Sequence, residues 1–132
     1  MLYDLHVETM REAITATWGW DENWQRRDFQ ERFSPARTKI ILVAGEVAGM
    51  LEMEERAEDL FVNNIKIRPN LQSTGIGSSV LRWVISTAAS KRLPIRLQVL
   101  RANTRALAFY ERLGFEETGR TETHVLMHFP PS

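Results

Sequence analysis

The pattern of apolar and polar positions changes period several times along the chain. Leu2, Leu5, Met10, Ala13, Ile14 and Thr17 fall near helical spacing, which predicts a helix from Leu2 to about Thr17. Gly19 interrupts it. Asp21 stands where it can cap a second helix, which runs to about Phe33 and is stopped by Ser34-Pro35. Residues 38–54 read as two strands turning at Ala44-Gly45-Glu46, and residues 59–67 as a third, closed by Arg68-Pro69. Residues 75–90 return to helical spacing, with Ile76, Val80, Val84 and Ala88 on one stripe and Leu81 and Ile85 beside it. Ile95, Leu97 and Val99 alternate as in a strand. A short helix from Asn103 to Leu113 ends at Gly114, and two last strands lie in the stretches beginning at Gly114 and Glu122. Between residues 59 and 100 the order is strand, glycine loop, helix, strand. That is a βαβ crossover, so its two strands should run parallel, while the hairpins on either side add antiparallel ones. The predicted class is α/β (α+β), with a mixed, mostly antiparallel sheet around a central parallel crossover.

Composition narrows the function more than the fold. With 132 residues and 43% apolar side chains, the expectation is one globular domain over residues 1–132. Seventeen basic and seventeen acidic side chains cancel, which argues against a general affinity for nucleic acid or an anionic membrane. The absence of cysteine excludes disulfides, cysteine–zinc sites and a cysteine nucleophile. His6, His124 and His128 have no metal or triad spacing, so no metal is expected. No apolar run reaches membrane-span length and the first ten residues lack the form of a signal peptide, so a cytoplasmic protein is expected.

The stretch Gln72-Ser73-Thr74-Gly75-Ile76-Gly77 opens a helix directly after a strand. A helix N-terminus offers unpaired N–H groups and a partial positive charge, and glycines let backbone approach a ligand closely. A tight capped turn is the plain alternative. The loop lacks the Lys-Ser/Thr of a P-loop, Ser78-Ser79 standing there instead. It also lacks the third glycine of the dinucleotide fingerprint, where Val80 stands.

A third pattern fits. The loop resembles the Gln/Arg-x-x-Gly-x-Gly/Ala signature of the GCN5-related N-acetyltransferases. Farther on, Asn103, Ala106, Tyr110 and Gly114-Phe115 resemble that family's second signature, so the likeness covers about residues 39–129. The resemblance implies that Gln72, Ser73, Thr74, Gly75, Ile76, Gly77 and Ser78 hold the pyrophosphate of acetyl-CoA. It implies that Ile65, Lys66 and Ile67 lie on a strand against the pantetheine arm, and that this strand diverges from its parallel neighbour to leave a slot for the thioester. Asn103 and Tyr110 would reach that region, and Arg68, Arg101 and Arg105 are candidates for the other phosphate. The family also has a strand before its first helix. This chain begins inside that helix, so either its start is truncated or the strand is missing; an open sheet edge and a homodimer are then expected.

The implied reaction is transfer of an acetyl group from acetyl-CoA to a primary amine. With no cysteine to carry the acetyl group, the amine must attack directly in a ternary complex. An ammonium has no lone pair, so a base is needed, and the departing thiolate benefits from an acid. Tyr110 is the candidate acid, although Leu107, Tyr110 and Leu113 also make a stripe suited to core packing. The glutamate that some members carry falls near Phe61 here, so Glu52 and Glu54 are the candidate bases, with Asn63 and Asn64 able to hold a water. Trp18, Trp20 and Trp24 are dense enough to line a site for a small-molecule or peptide amine, and His124 is a further candidate facing it; core or surface positions are the alternative for each. A non-catalytic acetyl-CoA-binding module is the competing function. A serine hydrolase is disfavoured, because no Gly-x-Ser-x-Gly elbow exists.

Overall fold

The computed structural model describes residues 2–72 and 74–131. Helix α1 (Leu2–Trp18) and helix α2 (Glu22–Arg32) come first, followed by strands β1 (Thr38–Val43), β2 (Glu46–Glu55) and β3 (Leu60–Ile67). A 3₁₀ turn (Pro69–Leu71), helix α3 (Ile76–Ser90), strand β4 (Ile95–Leu100), helix α4 (Thr104–Arg112) and strands β5 (Glu116–Arg120) and β6 (His124–Phe129) complete the chain. The six strands form one sheet in the order β1-β2-β3-β4-β6-β5. Among the described residues only β3 and β4 pair in parallel. The predicted mixed sheet with its crossover is the observed one, and among the described residues no strand precedes α1.

Local chemistry sets the element ends. The Asp21 side chain accepts a hydrogen bond from the Trp24 backbone N–H and so caps α2 as expected. The β1–β2 hairpin turns at Ala44 and Gly45, both at positive φ, the geometry of a two-residue primed turn. The sequence pattern does not predict the 3₁₀ turn; Pro69 starts it, since a fixed φ and a missing N–H cost nothing there.

Helices cover both faces of the sheet. On one face α3 and α4 pack Leu81, Val84, Ala88 and Tyr110 against Leu60, Val62, Leu97 and Val99. Leu81 and Val84 are fully buried, which contributes about 1.5–3 kcal/mol each. On the other face α1 packs Ala13 and Ile14 on Leu100. The alternation of Val99 and Leu100 between the two clusters is the period of a strand buried on both sides.

One irregularity controls the centre. In the β2–β3 ladder Glu52 pairs with Asn64 and Met53 with Val62, so Asn63 is an extra residue, a β-bulge. The bulge reverses the side-chain phase of β3. Leu60 and Val62 face α3 and α4, and so does Ile65, whereas Lys66 faces α1 and α2. Pairing of β3 with β4 stops at Val62↔Leu97. Beyond it, β3 pairs only with β2 and β4 only with β6, so a gap opens between two parallel strands.

Candidate active site

Two cavities meet at this gap. The larger, about 550 Å3, lies on the α1/α2 side and is lined by residues including His6, Trp18, Phe29, Glu52, Asn63 and His124. The smaller, about 210 Å3, lies beside the start of α3 and is lined by residues including Gln72, Gly75, Gly77, Ser78 and Arg105. Ile65, Lys66, Asn103, Ala106 and Tyr110 line both. These five residues mark the passage from one cavity to the other.

The smaller cavity has the features of an anion cradle. Gly75 takes φ +91 at the N-cap of α3, and among the described residues no side chain caps the helix there. A Cβ added at Gly75 would meet nothing within 4 Å, so backbone conformation, not space, requires glycine. The first-turn N–H groups therefore point outward without a side-chain acceptor. Gln72 shapes the loop: its Nε2 donates to the Ile67 carbonyl at 3.0 Å, and its Oε1 accepts from Arg105 at 2.7 Å. The Thr74 hydroxyl donates to the Leu71 carbonyl, and Ser73 lies outside the described residues. Gly77 is needed for a different reason from Gly75. A Cβ there would come within 3.3 Å of the Phe109 ring, so its bareness serves the packing of α3 on α4.

Of the three arginines considered for phosphate, only Arg105 lines the cavity. Arg68 is drawn away by the Val47 carbonyl and by Glu8 of α1, and Arg101 by the Glu122 carbonyl. Arg112 and Thr9 also line the smaller cavity and had no sequence signature.

At the passage, Asn103 caps α4 by accepting from the Ala106 N–H at 3.2 Å. Seven residues on, Tyr110 is buried, its ring packed edge-on to Phe109 and Phe115. Burial pushes its phenol up from the usual value, so it stays protonated across the physiological range. Its hydroxyl has no hydrogen-bond partner among the described residues.

The candidate carboxylates differ in position. Glu52 lines the larger cavity, 3.5 Å from Arg37, and accepts from the Asn64 amide at 3.1 Å. Glu54 lines neither cavity and is bound to Arg37 at 3.1 Å. Both carboxylates reach Arg37, and of the two only Glu52 lines the cavity. Asn63 lines the larger cavity with a buried Oδ1 that has no hydrogen-bond partner among the described residues. Phe61 also lines it and carries the Arg56 guanidinium over its ring.

The tryptophans divide too. Trp18 is 61% exposed at the rim of the larger cavity, its ring 6.2 Å from His124, which the Thr123 hydroxyl contacts at 2.8 Å. Trp20 lines neither cavity. It packs beside Ala13 and Ile14, donates to Glu22 and carries the Arg11 guanidinium over its ring. Trp24 is exposed and away from both cavities. Among the described residues no group of three or more His, Asp or Glu side chains is placed to hold a metal, and no helix is long and apolar enough to cross a membrane.

Comparison with known proteins agrees with this geometry. The chain is 27% identical over 126 residues to the peptidyl-lysine N-acetyltransferase YjaB of Salmonella typhimurium, covering 91% of this chain and 81% of the relative. Its fold matches the PaiA N-acetyltransferase of Thermoplasma acidophilum, solved with coenzyme A, with a TM-score of 0.76 at 17% identity, covering 97% of this chain and 92% of that one. An acetyltransferase of Thermus thermophilus matches with a TM-score of 0.73 at 20% identity, over 98% of this chain and 88% of that one. The family model of the acetyltransferase (GNAT) family matches residues 1–115, and the chain belongs to that family.

Proposed function

We propose that this protein transfers the acetyl group of acetyl-CoA to a primary amine, by direct attack of the amine within a ternary complex. One observation carries the reading: a cavity at a bare helix N-terminus and a larger cavity on the opposite face share a lining at the β3–β4 gap. Two ligands entering from opposite sides would meet there, which supplies the proximity that an acyl transfer needs. The free amides of α3, Gln72 and Arg105 suit a pyrophosphate, and the unpaired backbone of β3 beside the gap suits the amides of a pantetheine arm. Tyr110, neutral and with an uncommitted hydroxyl, suits donation to a departing thiolate.

The acceptor site is the larger cavity, with Trp18 and His124 at its rim. Because YjaB is a peptidyl-lysine acetyltransferase, a lysine-containing peptide is the first acceptor to test, followed by small amines. Release of free thiol from acetyl-CoA that depends on added amine supports transfer. Calorimetric binding of acetyl-CoA with no release for any amine would instead make the protein a binding module.

We also propose a homodimer through β1. That strand ends the sheet and exposes Ile40, Leu42 and Val43 by 41%, 60% and 43%. A monomer by light scattering at high concentration rejects it.

A further inference from the structure

Lys66 occupies an unusual place. It stands in a strand between two isoleucines and is only 5% exposed, a degree of burial that lysine almost never reaches without a charged partner. Among the described residues no carboxylate lies within ion-pair distance of its Nζ. Its near partner is His6 Nδ1 at 3.0 Å, from α1, sixty positions away in sequence. The Phe29 ring, from α2, lies 5.5 Å from Nζ. The side chain is thus clamped between the two helices of the acceptor side and the sheet, at the passage between the cavities.

The histidine is itself oriented. His6 Nε2 lies 2.9 Å from Gln25 Oε1, and Gln25 is buried. An amide oxygen only accepts, so Nε2 carries the hydrogen and Nδ1 presents a lone pair. Lys66 must then donate to His6. A neutral amine has two N–H bonds and one lone pair; once one N–H is held by His6, the lone pair is free to face the cavity.

We propose that Lys66 is the general base of the transfer, its Nζ held by His6 at the passage between the two cavities and taking a proton from the acceptor ammonium. This rests on the transferase reading above. The ammonium gives one proton to Lys66, which returns it to solvent. The amine nitrogen forms a bond to the acetyl carbon as the carbon–sulfur bond breaks. The nitrogen's second proton passes to solvent water, Tyr110 gives its proton to the departing sulfur, and solvent restores the phenol.

The groups facing Nζ fit this role. Burial pushes the Lys66 ammonium down to about 8, while Glu52 on β2 pulls it up. Roughly a quarter of Nζ is then neutral at about pH 7.5, against about one part in a thousand for an ordinary lysine. His6 on α1 is held below its usual value, by burial first and by Lys66 second, with the Gln25 hydrogen bond and Asp28 on α2 opposing, so it does not compete as a cation. Tyr110 on α4 stays neutral. The two alternative bases, Glu52 and Glu54, both lie against Arg37.

The test has two parts. In the free protein, side-chain NMR should show Lys66 titrating near pH 8, below the range of an ordinary lysine. In assays with a lysine peptide, kcat/KM should rise through a limb near pH 8. Lys66→Met and Lys66→Arg should both bind acetyl-CoA within about threefold of wild type, yet lose roughly 10²–10⁴ in kcat and lack that limb. Arginine keeps the charge but cannot act as a base, so turnover by Lys66→Arg within about fivefold of wild type would overturn the proposal. Should Lys66→Met fail to fold, Glu52→Gln decides: it should move both the NMR titration and the kinetic limb to lower pH. A limb that stays put, or that vanishes while Lys66 still titrates, overturns the proposal. Wild-type protein that binds acetyl-CoA but releases no thiol with any amine fails the transferase reading itself, and the base falls with it.

Discussion

Replacing Gly49 by alanine should be severe, although its φ is not in the left-handed region. Gly49 lies buried in β2, opposite Ile67 of β3 and Ile41 of β1. A Cβ placed there would lie well inside contact distance of the Lys66 carbonyl oxygen, and 3.1 Å from both the Cα and the Cδ1 of Ile67. The first obstacle is backbone in the middle of a sheet, which no rotamer change can relieve. Overpacking of this kind costs about 1–3 kcal/mol, and parting two ladder hydrogen bonds beside Lys66 costs about 1 kcal/mol each, giving roughly 3–5 kcal/mol. With 132 residues and about 2.1 cal/mol/K of unfolding entropy per residue, each kcal/mol lowers Tm by about 3.6 °C. The expected fall is therefore roughly 10–18 °C by calorimetry. Acetyl-CoA affinity should fall as well, because the displaced backbone borders both cavities. Gly119→Ala is the control. Its Cβ would meet only Leu126 at 3.7 Å, ordinary contact, so its Tm should stay within about 3 °C of wild type. A Gly49→Ala variant as stable as that control would refute the steric argument.

Tyr110→Phe removes a hydroxyl that holds nothing in the fold, so Tm and acetyl-CoA affinity should be unchanged while turnover falls roughly ten- to a thousandfold; unfolding would instead reveal a structural hydroxyl, and turnover within about twofold a residue that only packs. Gly75→Val places a β-branched residue at φ +91 and should weaken acetyl-CoA binding in calorimetry far more than Thr74→Ala, whose lost hydroxyl serves only the turn; equal affinities reject the loop as the anion site. Asp59, paired with Arg56 at 2.6 and 2.9 Å and with Arg96 at 3.4 Å, is held below its usual value chiefly by the Arg56 hydrogen bond. A depressed folded value stabilises the protein above the unfolded value of about 4 and is lost as pH falls through the folded one, so Asp59→Asn should flatten the stability loss below about pH 4; an unchanged acid melting curve refutes it.

Much of the architecture was legible because its signals are local. Asp21 announces a cap, Ala44-Gly45 a hairpin, and the stripe from Ile76 to Ala88 a helix with one buried face. What escaped depends on contacts between distant residues. Nothing near Lys66 says that His6 will reach it, and nothing near Arg68 says that Val47 and Glu8 will draw it off. Trp18 and Trp20 are two positions apart and indistinguishable in composition. The turn at Gly19 sends one to the cavity rim and the other against α1. One signal did exist. In β3 the apolar alternation runs Leu60, Val62 and then resumes at Ile65, Ile67, a change of phase across Asn63-Asn64. A strand buried against one cluster cannot change phase without an extra residue, so the bulge was readable there.

That single extra residue explains why the site is where it is. Without it, β3 would keep its register with β4 beyond Val62, and the gap between them would be closed by ladder hydrogen bonds. With Asn63 set out of the ladder, Val62 and Ile65 share the face of α3 and α4, and Lys66 turns toward α1 and α2. The bulge therefore opens the passage and aims the lysine with one backbone irregularity. Its cost is visible in the buried Oδ1 of Asn63, which has no hydrogen-bond partner among the described residues. Past the bulge, the bareness of Gly49, across the ladder from Ile67, lets the Lys66 carbonyl approach β2 closely. A variant that deleted Asn63 should therefore close the gap between β3 and β4 and weaken acetyl-CoA binding in calorimetry, while Lys66, two ladder positions from Asn64, keeps its face; an unchanged affinity would show that the bulge does not open the passage.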